Sequence, residues 1–421
     1  MIGFRQAAVR PSLPSPRSRP NRVTAIKTLS LSLLSIAVIA ALSLWFVSAA
    51  ILPEMLAEAP ISAARQALLS SGVQVGFVAG ALLSAFLGLP DRIHPGRLLA
   101  ACATLAALVN AALLALPVGG DGAIAARILT GALLAGVYPV GMKIAVGWGI
   151  QDRGFLVGLL VGAVTLGSAA PHLIALGGGA DWRVTVLLAS LASLAAALLA
   201  LGVRLGPYHA TSPRFDPGVI GSAWTNRRIR LAYAGYFGHM WELYAMWTWA
   251  GAAMAATFVP ELGPDRGLTL ARLATFAAIA LGGLGCIVGG LVADRIGKES
   301  VAIIALAISF ASALAAALAF GGPAWLFCLV VLVWGASIAP DSPQFSALVA
   351  DFAPASQAGS LMTLQTAIGF ALTFITVQAT PIVVETAGWP VLLALLALGP
   401  AFGLVAMLRL RRLTAGERAS G

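Results

Sequence analysis

Glu242 stands in the run His239-Met240-Trp241-Glu242-Leu243-Tyr244, well inside a long apolar stretch. An ionised carboxylate at such a depth is costly unless it is paired or hydrated, and intramembrane ionisable groups tend to be functional. Held as a neutral acid, Glu242 is a candidate proton carrier; the plainer alternative is an acid hydrogen-bonded to another helix. Asp341 falls in Ala339-Pro340-Asp341-Ser342-Pro343. The two prolines break the helical hydrogen-bond ladder and free carbonyls for side chains, water or solute. Asp341 is suited to binding a cation, accepting a proton or orienting an arginine, or else to capping the broken helix. His172 follows Pro171, and His239 precedes Glu242 by less than a helical turn. Histidine titrates near neutral pH and can relay protons, although buried histidines are also paired packing residues.

Two basic residues lie in apolar stretches of the first half. Arg127 can stabilise the ionised form of a nearby carboxylate, and separating such a pair favours proton uptake. It is also close enough to a helix end to snorkel. Lys143 can neutralise a charged solute or reach lipid phosphate. Around Glu242 the chain concentrates Tyr233, Tyr236, Phe237, Trp241, Tyr244, Trp247 and Trp249. Tyr236, Trp241 and Tyr244 are the candidate wall of a cavity for an organic solute, where rings bury apolar area and donate a hydrogen bond. Met240, Met246 and Met254 have no ligand spacing, and the cysteines Cys102, Cys286 and Cys328 form no spaced pattern, so neither a metal site nor a disulfide framework is expected.

The elements that must position these groups follow from composition. The 421 residues are 59% hydrophobic and 10% charged, too little polar surface to cover a soluble core of this size. Apolar stretches of about 20 residues, the length of one membrane crossing, recur over 30–53, 66–88, 97–117, 123–147, 154–177, 183–204, 229–258, 269–292, 300–320, 323–347, 357–383 and 389–408. Helices satisfy their own backbone groups in lipid, so the expected fold is an all-α polytopic membrane protein with twelve transmembrane helices. With a cytoplasmic N-terminus, 21 of the 26 Lys and Arg fall on the inner side, as the positive-inside rule requires. Both termini are therefore expected in the cytoplasm, and the net charge of +10 serves orientation rather than nucleic-acid binding. The break at 205–228, with Pro207, Pro213 and Pro217, has six spans on either side. The expected organisation is a disordered basic cytoplasmic tail (1–27), a six-helix bundle (28–204), a cytoplasmic linker (205–228), a second six-helix bundle (229–410) and a cytoplasmic tail (411–421).

The two halves share texture. Asp91-Arg92 follows the second span and Asp294-Arg295 the eighth; Asp181-Trp182-Arg183 opens the sixth and Gly388-Trp389-Pro390 the twelfth. This suggests a parallel duplication into two pseudo-symmetric bundles. On these residues the chain resembles the major facilitator superfamily of secondary transporters. Gly290-Leu291-Val292-Ala293-Asp294-Arg295-Ile296-Gly297-Lys298 is similar to the family's signature between the second and third helix of a half. Its first-half counterpart, from Gly88 through Asp91 and Arg92 to Arg97, departs from the pattern in glycine position and in the His94-Pro95 insertion. Arg127-x-x-x-Gly131 resembles a second family mark, which implies a part for Arg127 in proton coupling. The resemblance also implies that Gly88, Asp91, Arg92, Gly290, Asp294, Arg295, Gly297 and Lys298 control switching between states without touching solute. Gly158, Gly162 and Gly167 of the fifth span permit close helix approach. Gly158 and Gly167 with Pro171 partly resemble a glycine-rich exporter signature, whose terminal Gly-Pro-x-x-Gly-Gly group is absent.

The function expected is proton-coupled secondary active transport of a small solute by alternating access, in a bacterial inner membrane and as a monomer. Proton-independent facilitation and export of amphipathic organic compounds are the alternatives. An enzyme is not expected, because no nucleophile, base or metal set converges. Without a Gly-x-x-x-x-Gly-Lys-Ser/Thr loop, ATP hydrolysis and a resident cofactor are not expected either. The partners expected are the solute, protons and membrane lipid.

Overall fold

A computed structural model describes residues 18–150, 152–178, 181–209, 218–354 and 357–420. Residues 1–17 of the expected tail, with Arg5, Arg10 and Arg17, lie outside the described residues, as do 210–217 of the expected linker, with Arg214. Ser18–Lys27 were expected in the tail but are helical: the first helix begins at Ser18. Within the linker range a short helix, Val219–Thr225, precedes the second bundle.

The spans are helices because their runs of Ala, Leu, Val and Ile close every backbone hydrogen bond internally. Six lie in the first half: Thr24–Glu58, Ala63–Leu87, Pro95–Leu114, Asp121–Val146, Arg153–Gly177 and Trp182–Leu201. The sixth is started by Asp181, whose carboxylate accepts from the Arg183 N–H at 2.9 Å. The second half has Arg227–Leu262, Pro264–Ile296, Lys298–Ala319 and Ala324–Phe352. Its last two spans form one continuous stretch that turns at Gly388, where φ is 84°; the twelfth helix then runs on to Ser420. Ten helical segments are long and apolar enough to cross a membrane. The seventh helix, Arg227–Leu262, falls outside that set, and the turn at Gly388 divides one segment into two. The molecule is thus an all-α membrane protein of twelve transmembrane helices in two six-helix bundles, the first and last described residues, Ser18 and Ser420, falling on one side.

Three helices carry breaks of three or four residues: the first at 43–46, the fourth at 135–137 and the tenth at 339–341. Pro340 accounts for the last. The seventh, at the corresponding place in its half, is a single helix of 36 residues. It is capped by Asn226, whose side chain accepts from the N–H groups of Arg228 and Ile229.

The bundles meet along two helix pairs, the fifth with the eighth and the second with the eleventh. The first contact depends on missing side chains. A Cβ on Gly158 would stand 2.9 Å from the Cys286 carbonyl oxygen, and one on Gly162 would stand 2.8 Å from that of Gly283. The small residues of the fifth span therefore bring backbones together across the seam. In the second contact, Gln378 donates to the Ser71 hydroxyl at 2.6 Å.

Candidate functional site

Arg127 is fully buried in the first bundle. Its guanidinium donates to the carbonyls of Leu69 (3.3 Å), Leu44 (2.8 Å) and Trp45 (2.6 Å) and to the Asn110 side-chain oxygen (2.9 Å). Asn110 in turn donates to the Ser190 hydroxyl at 3.0 Å. The Leu44 and Trp45 carbonyls belong to the break in the first helix, where the i to i+4 ladder is interrupted and acceptors need another donor. Arg127 reaches that break because Gly131, one turn on, lets the fourth helix lie against the backbone of Val73 in the second. The side chain neither snorkels to a helix end nor meets a carboxylate.

The second bundle buries the acids. Glu242 accepts from the Ser309 hydroxyl at 2.6 Å and from the Trp334 indole N–H at 2.8 Å. These donors sit on the ninth and tenth helices, so Glu242 points into its own bundle. One turn earlier, His239 Nδ1 lies 3.0 Å from Asp341 Oδ1, both fully buried. The break around Pro340 carries Asp341 toward the seventh helix. The structure thus gathers Glu242, His239 and Asp341 in one bundle, away from Arg127.

The seventh helix uses different faces for different neighbours. Trp241 donates to the Leu395 carbonyl at 3.0 Å and lies against the twelfth helix. Tyr236 packs on Phe345 and on Gly369. Tyr244, Trp247, Thr248 and Gly251 share the stripe that faces the first bundle. There the Tyr244 ring lies 5.8 Å from Trp45, 5.8 Å from Phe46 and 5.1 Å from Phe370, and the Trp45 ring 5.0 Å from Phe77. His172 ends the stripe: a Cβ on Gly251 would stand 3.6 Å from its Cε1 and 3.7 Å from Thr275 Oγ1. Of the three aromatic residues expected to line a solute cavity, Tyr244 packs on rings of the first bundle, Tyr236 comes within electrostatic reach of Tyr138 of the fourth helix, and Trp241 turns to the twelfth helix. Lys143 turns away as well: it pairs with Asp91 at the membrane edge on the side of the termini. A double-mutant cycle of Lys143→Met and Asp91→Asn on unfolding in micelles is expected to give a coupling of about 1 kcal/mol, modest because both groups are part-exposed. A coupling near zero would show that the pair is incidental.

Both Asp-Arg loops lie on the side of the termini, and they differ. In the second-half copy Gly297 has φ 89° and ends the eighth helix; in the first-half copy the left-handed residue is Gly88, with φ 62°. The unusual glycine position in the first copy is therefore the position of its turn. Asp294 stands beside Gly154 in the first turn of the fifth helix, 3.2 Å from where its Cβ would be. A carboxylate is favoured at such a helix start, and this contact crosses between bundles. Gly290 lies against the Gly154 carbonyl in the same crossing. Lys298 pairs with Asp351 at 2.5 Å within its own bundle, and Arg92 and Arg295 are exposed.

Residues 33–375 match the family model described as Major Facilitator Superfamily. The chain belongs to that superfamily. Among solved structures, two superfamily-like folds cover nearly all of it. A nucleoside transporter, NupG, is similar with TM-score 0.69 and 13% identity, over 91% of this chain and 99% of its own. The proton:xylose symporter XylE, bound to 6-bromo-6-deoxy-D-glucose, gives TM-score 0.68 and 14% identity, over 92% and 96%. At these identities the likeness shows the fold alone. No curated protein matches the chain. As a superfamily member this protein is an integral membrane transporter of a small-molecule substrate.

Some residues at the seam were not singled out in the sequence. Trp45 and Phe46 carry no breaker nearby. Glu54 of the first helix and Arg272 of the eighth form an ion pair that joins the bundles on the side opposite the termini. Their only sequence signal is a lone acid after Pro53 and a lone arginine near a span start. A cavity of about 450 Å³ opens between Arg228, Lys298, Glu299 and Asp351. It lies among the helix ends of the second bundle and not on the seam.

Proposed function

We propose that this transporter moves a small solute by alternating access along the seam between bundles, coupled to a proton bound in the second bundle. The observation that carries this reading is the two-faced seventh helix. One face presents Tyr244 and Trp247 to the seam, and another holds Glu242 between Ser309 and Trp334 with the His239–Asp341 pair a turn away. Protonation at Glu242 removes a buried negative charge from two donors, and the same helix passes any resulting shift to the solute route. Asp341 and His239 modulate that site. Arg127 sets the shape of the first helix, and His172 lies on the route. Gly88, Asp91, Arg92, Gly290, Asp294, Arg295, Gly297 and Lys298 govern switching from the cytoplasmic side, which carries both termini. Lys143 anchors the Asp91 loop, and Tyr236 and Trp241 brace the seventh helix. The host membrane is a bacterial inner membrane, the working unit is a monomer in contact with lipid, and the protein performs no chemical conversion.

The test uses proteoliposomes loaded with a pH-sensitive dye, with xylose and uridine as first solutes, because the similar structures are a xylose symporter and a nucleoside transporter. Solute addition is expected to drive proton flux in the wild type. Glu242→Gln should lose that flux by about tenfold or more, since its site no longer titrates, while retaining solute counterflow. Unchanged proton flux in the variant sinks the assignment. Among the described residues the two fully buried acids, Glu242 and Asp341, meet their partners inside the second bundle, which favours proton-independent facilitation as the second reading.

A further inference from the structure

We propose that the transported solute is an uncharged ring compound. It is recognised at the seam by four neutral polar groups: the indole N–H groups of Trp45 and Trp247, the Thr248 hydroxyl and the His172 imidazole. The proposal rests on the seam being the transport route, and adds the chemical class of what travels there.

Charge supplies the first argument. Among the described residues, three Asp, Glu, Lys or Arg side chains are fully buried: Arg127, Glu242 and Asp341. Each lies inside one bundle: Arg127 donates to three carbonyls and Asn110, Glu242 accepts from Ser309 and Trp334, and Asp341 faces His239 at 3.0 Å. Two part-buried ion pairs, Glu54–Arg272 and Lys143–Asp91, are matched as well. An ion reaching the aromatic stripe would shed its water and meet only charges that already face an opposite partner, such as the Glu54–Arg272 pair. Against an uncharged molecule of the same shape, that is a handicap of roughly 100-fold or more in affinity.

The second argument is independent. Trp45 Nε1, Trp247 Nε1, Thr248 Oγ1 and His172 Nε2 are all buried without a hydrogen-bond partner. Buried polar groups are nearly always satisfied, and an orphan calls for an explanation. These four are distributed over the first, fifth and seventh helices, along the one stripe where the bundles meet. Two are indole N–H groups, which donate only, while the hydroxyl and the imidazole can donate or accept. Their complement is a molecule with at least two acceptors, such as carbonyl or hydroxyl oxygens or ring nitrogens. The apolar surroundings are Phe46, Phe77, Tyr244 and Phe370, whose centroid spacings of 4.9 to 5.8 Å are those of offset and edge-on aromatic packing. A flat ring inserted among them gains contact on both faces.

The test is thermal unfolding of the full chain in micelles with matched probes: nicotinamide, nicotinate and 1-methylnicotinamide; benzamide, benzoate and benzyltrimethylammonium; and uridine. A ligand that binds the native state raises the midpoint in a saturable way. At least one uncharged probe is expected to do so, and to bind about tenfold or more tightly than any charged counterpart in the set. Thr248→Val and Trp247→Phe are each expected to weaken that binding about fivefold, the worth of one hydrogen bond. Either variant suffices if the other fails to fold. A charged probe that binds as tightly as its uncharged counterpart overturns the proposal, as does saturable binding by no uncharged probe. Binding unchanged in both variants overturns the assignment of the four groups. Counterflow separates this from the route itself. An uncharged probe that binds but is never exchanged sinks the transport reading and leaves the chemical class standing. A charged probe that is exchanged through the seam does the reverse.

Discussion

Arg127→Leu is expected to lower unfolding stability by about 3 kcal/mol and to abolish transport. This guanidinium donates four hydrogen bonds, three of them to carbonyls of the first and second helices. Interhelical hydrogen bonds inside a membrane are worth roughly 0.6–1 kcal/mol each on average, and leucine would leave the carbonyls of the helix break without a donor. Arg127→Lys should fall between, because an ammonium is a point donor and cannot fork between the break and Asn110. Denaturant unfolding in micelles, followed by circular dichroism, measures both. A wild-type midpoint in both variants would mean that the fork is not what holds the break. Transport should suffer beyond the loss of stability, since Trp45 and Phe46 sit on the broken turn and form one wall of the seam.

The second large effect is expected at Gly162. Valine there would place its Cβ 2.8 Å from the Gly283 carbonyl oxygen and 3.2 Å from the Ile287 side chain. Overpacking of this kind costs about 1–3 kcal/mol, but here it falls between bundles and not within a core. Each bundle should therefore still form, while solute counterflow in proteoliposomes drops by about tenfold or more because the fifth and eighth helices can no longer reach the same contact. Gly177→Ala is the control, since nothing stands within 4 Å of a Cβ at that position. Normal counterflow in Gly162→Val would show that the close approach is dispensable.

Much of this architecture is legible in the sequence, for a simple reason. Hydrocarbon imposes one length and one composition on every crossing, so the twelve spans can be counted directly. The glycines of the fifth span likewise announce a close helix contact, and the depth of Glu242 is plain from its neighbours. What the sequence hides is pairing between distant segments. Nothing in Ser43-Leu44-Trp45-Phe46 marks a helix break; it contains neither glycine nor proline, and its carbonyls are met by a guanidinium 83 residues further along. Trp334 and Ser309 read as ordinary members of apolar spans until Glu242 is placed between them. Lys143 and Trp241 mislead for the opposite reason. Each has the right chemistry for a solute cavity, but helix rotation turns one to Asp91 and the other to the twelfth helix.

The polarity of the seventh helix has a consequence for how the chain enters the bilayer. A segment that carries His239, Glu242, three tyrosines and three tryptophans partitions poorly by itself. Its acid is satisfied by groups that emerge from the ribosome later, at Ser309 and Trp334. During synthesis it should linger beside the insertion machinery until the ninth and tenth helices arrive, so the second half assembles as a unit. Truncation just after Leu262 should leave that segment extractable by alkaline carbonate, and extension past Phe352 should make it resistant.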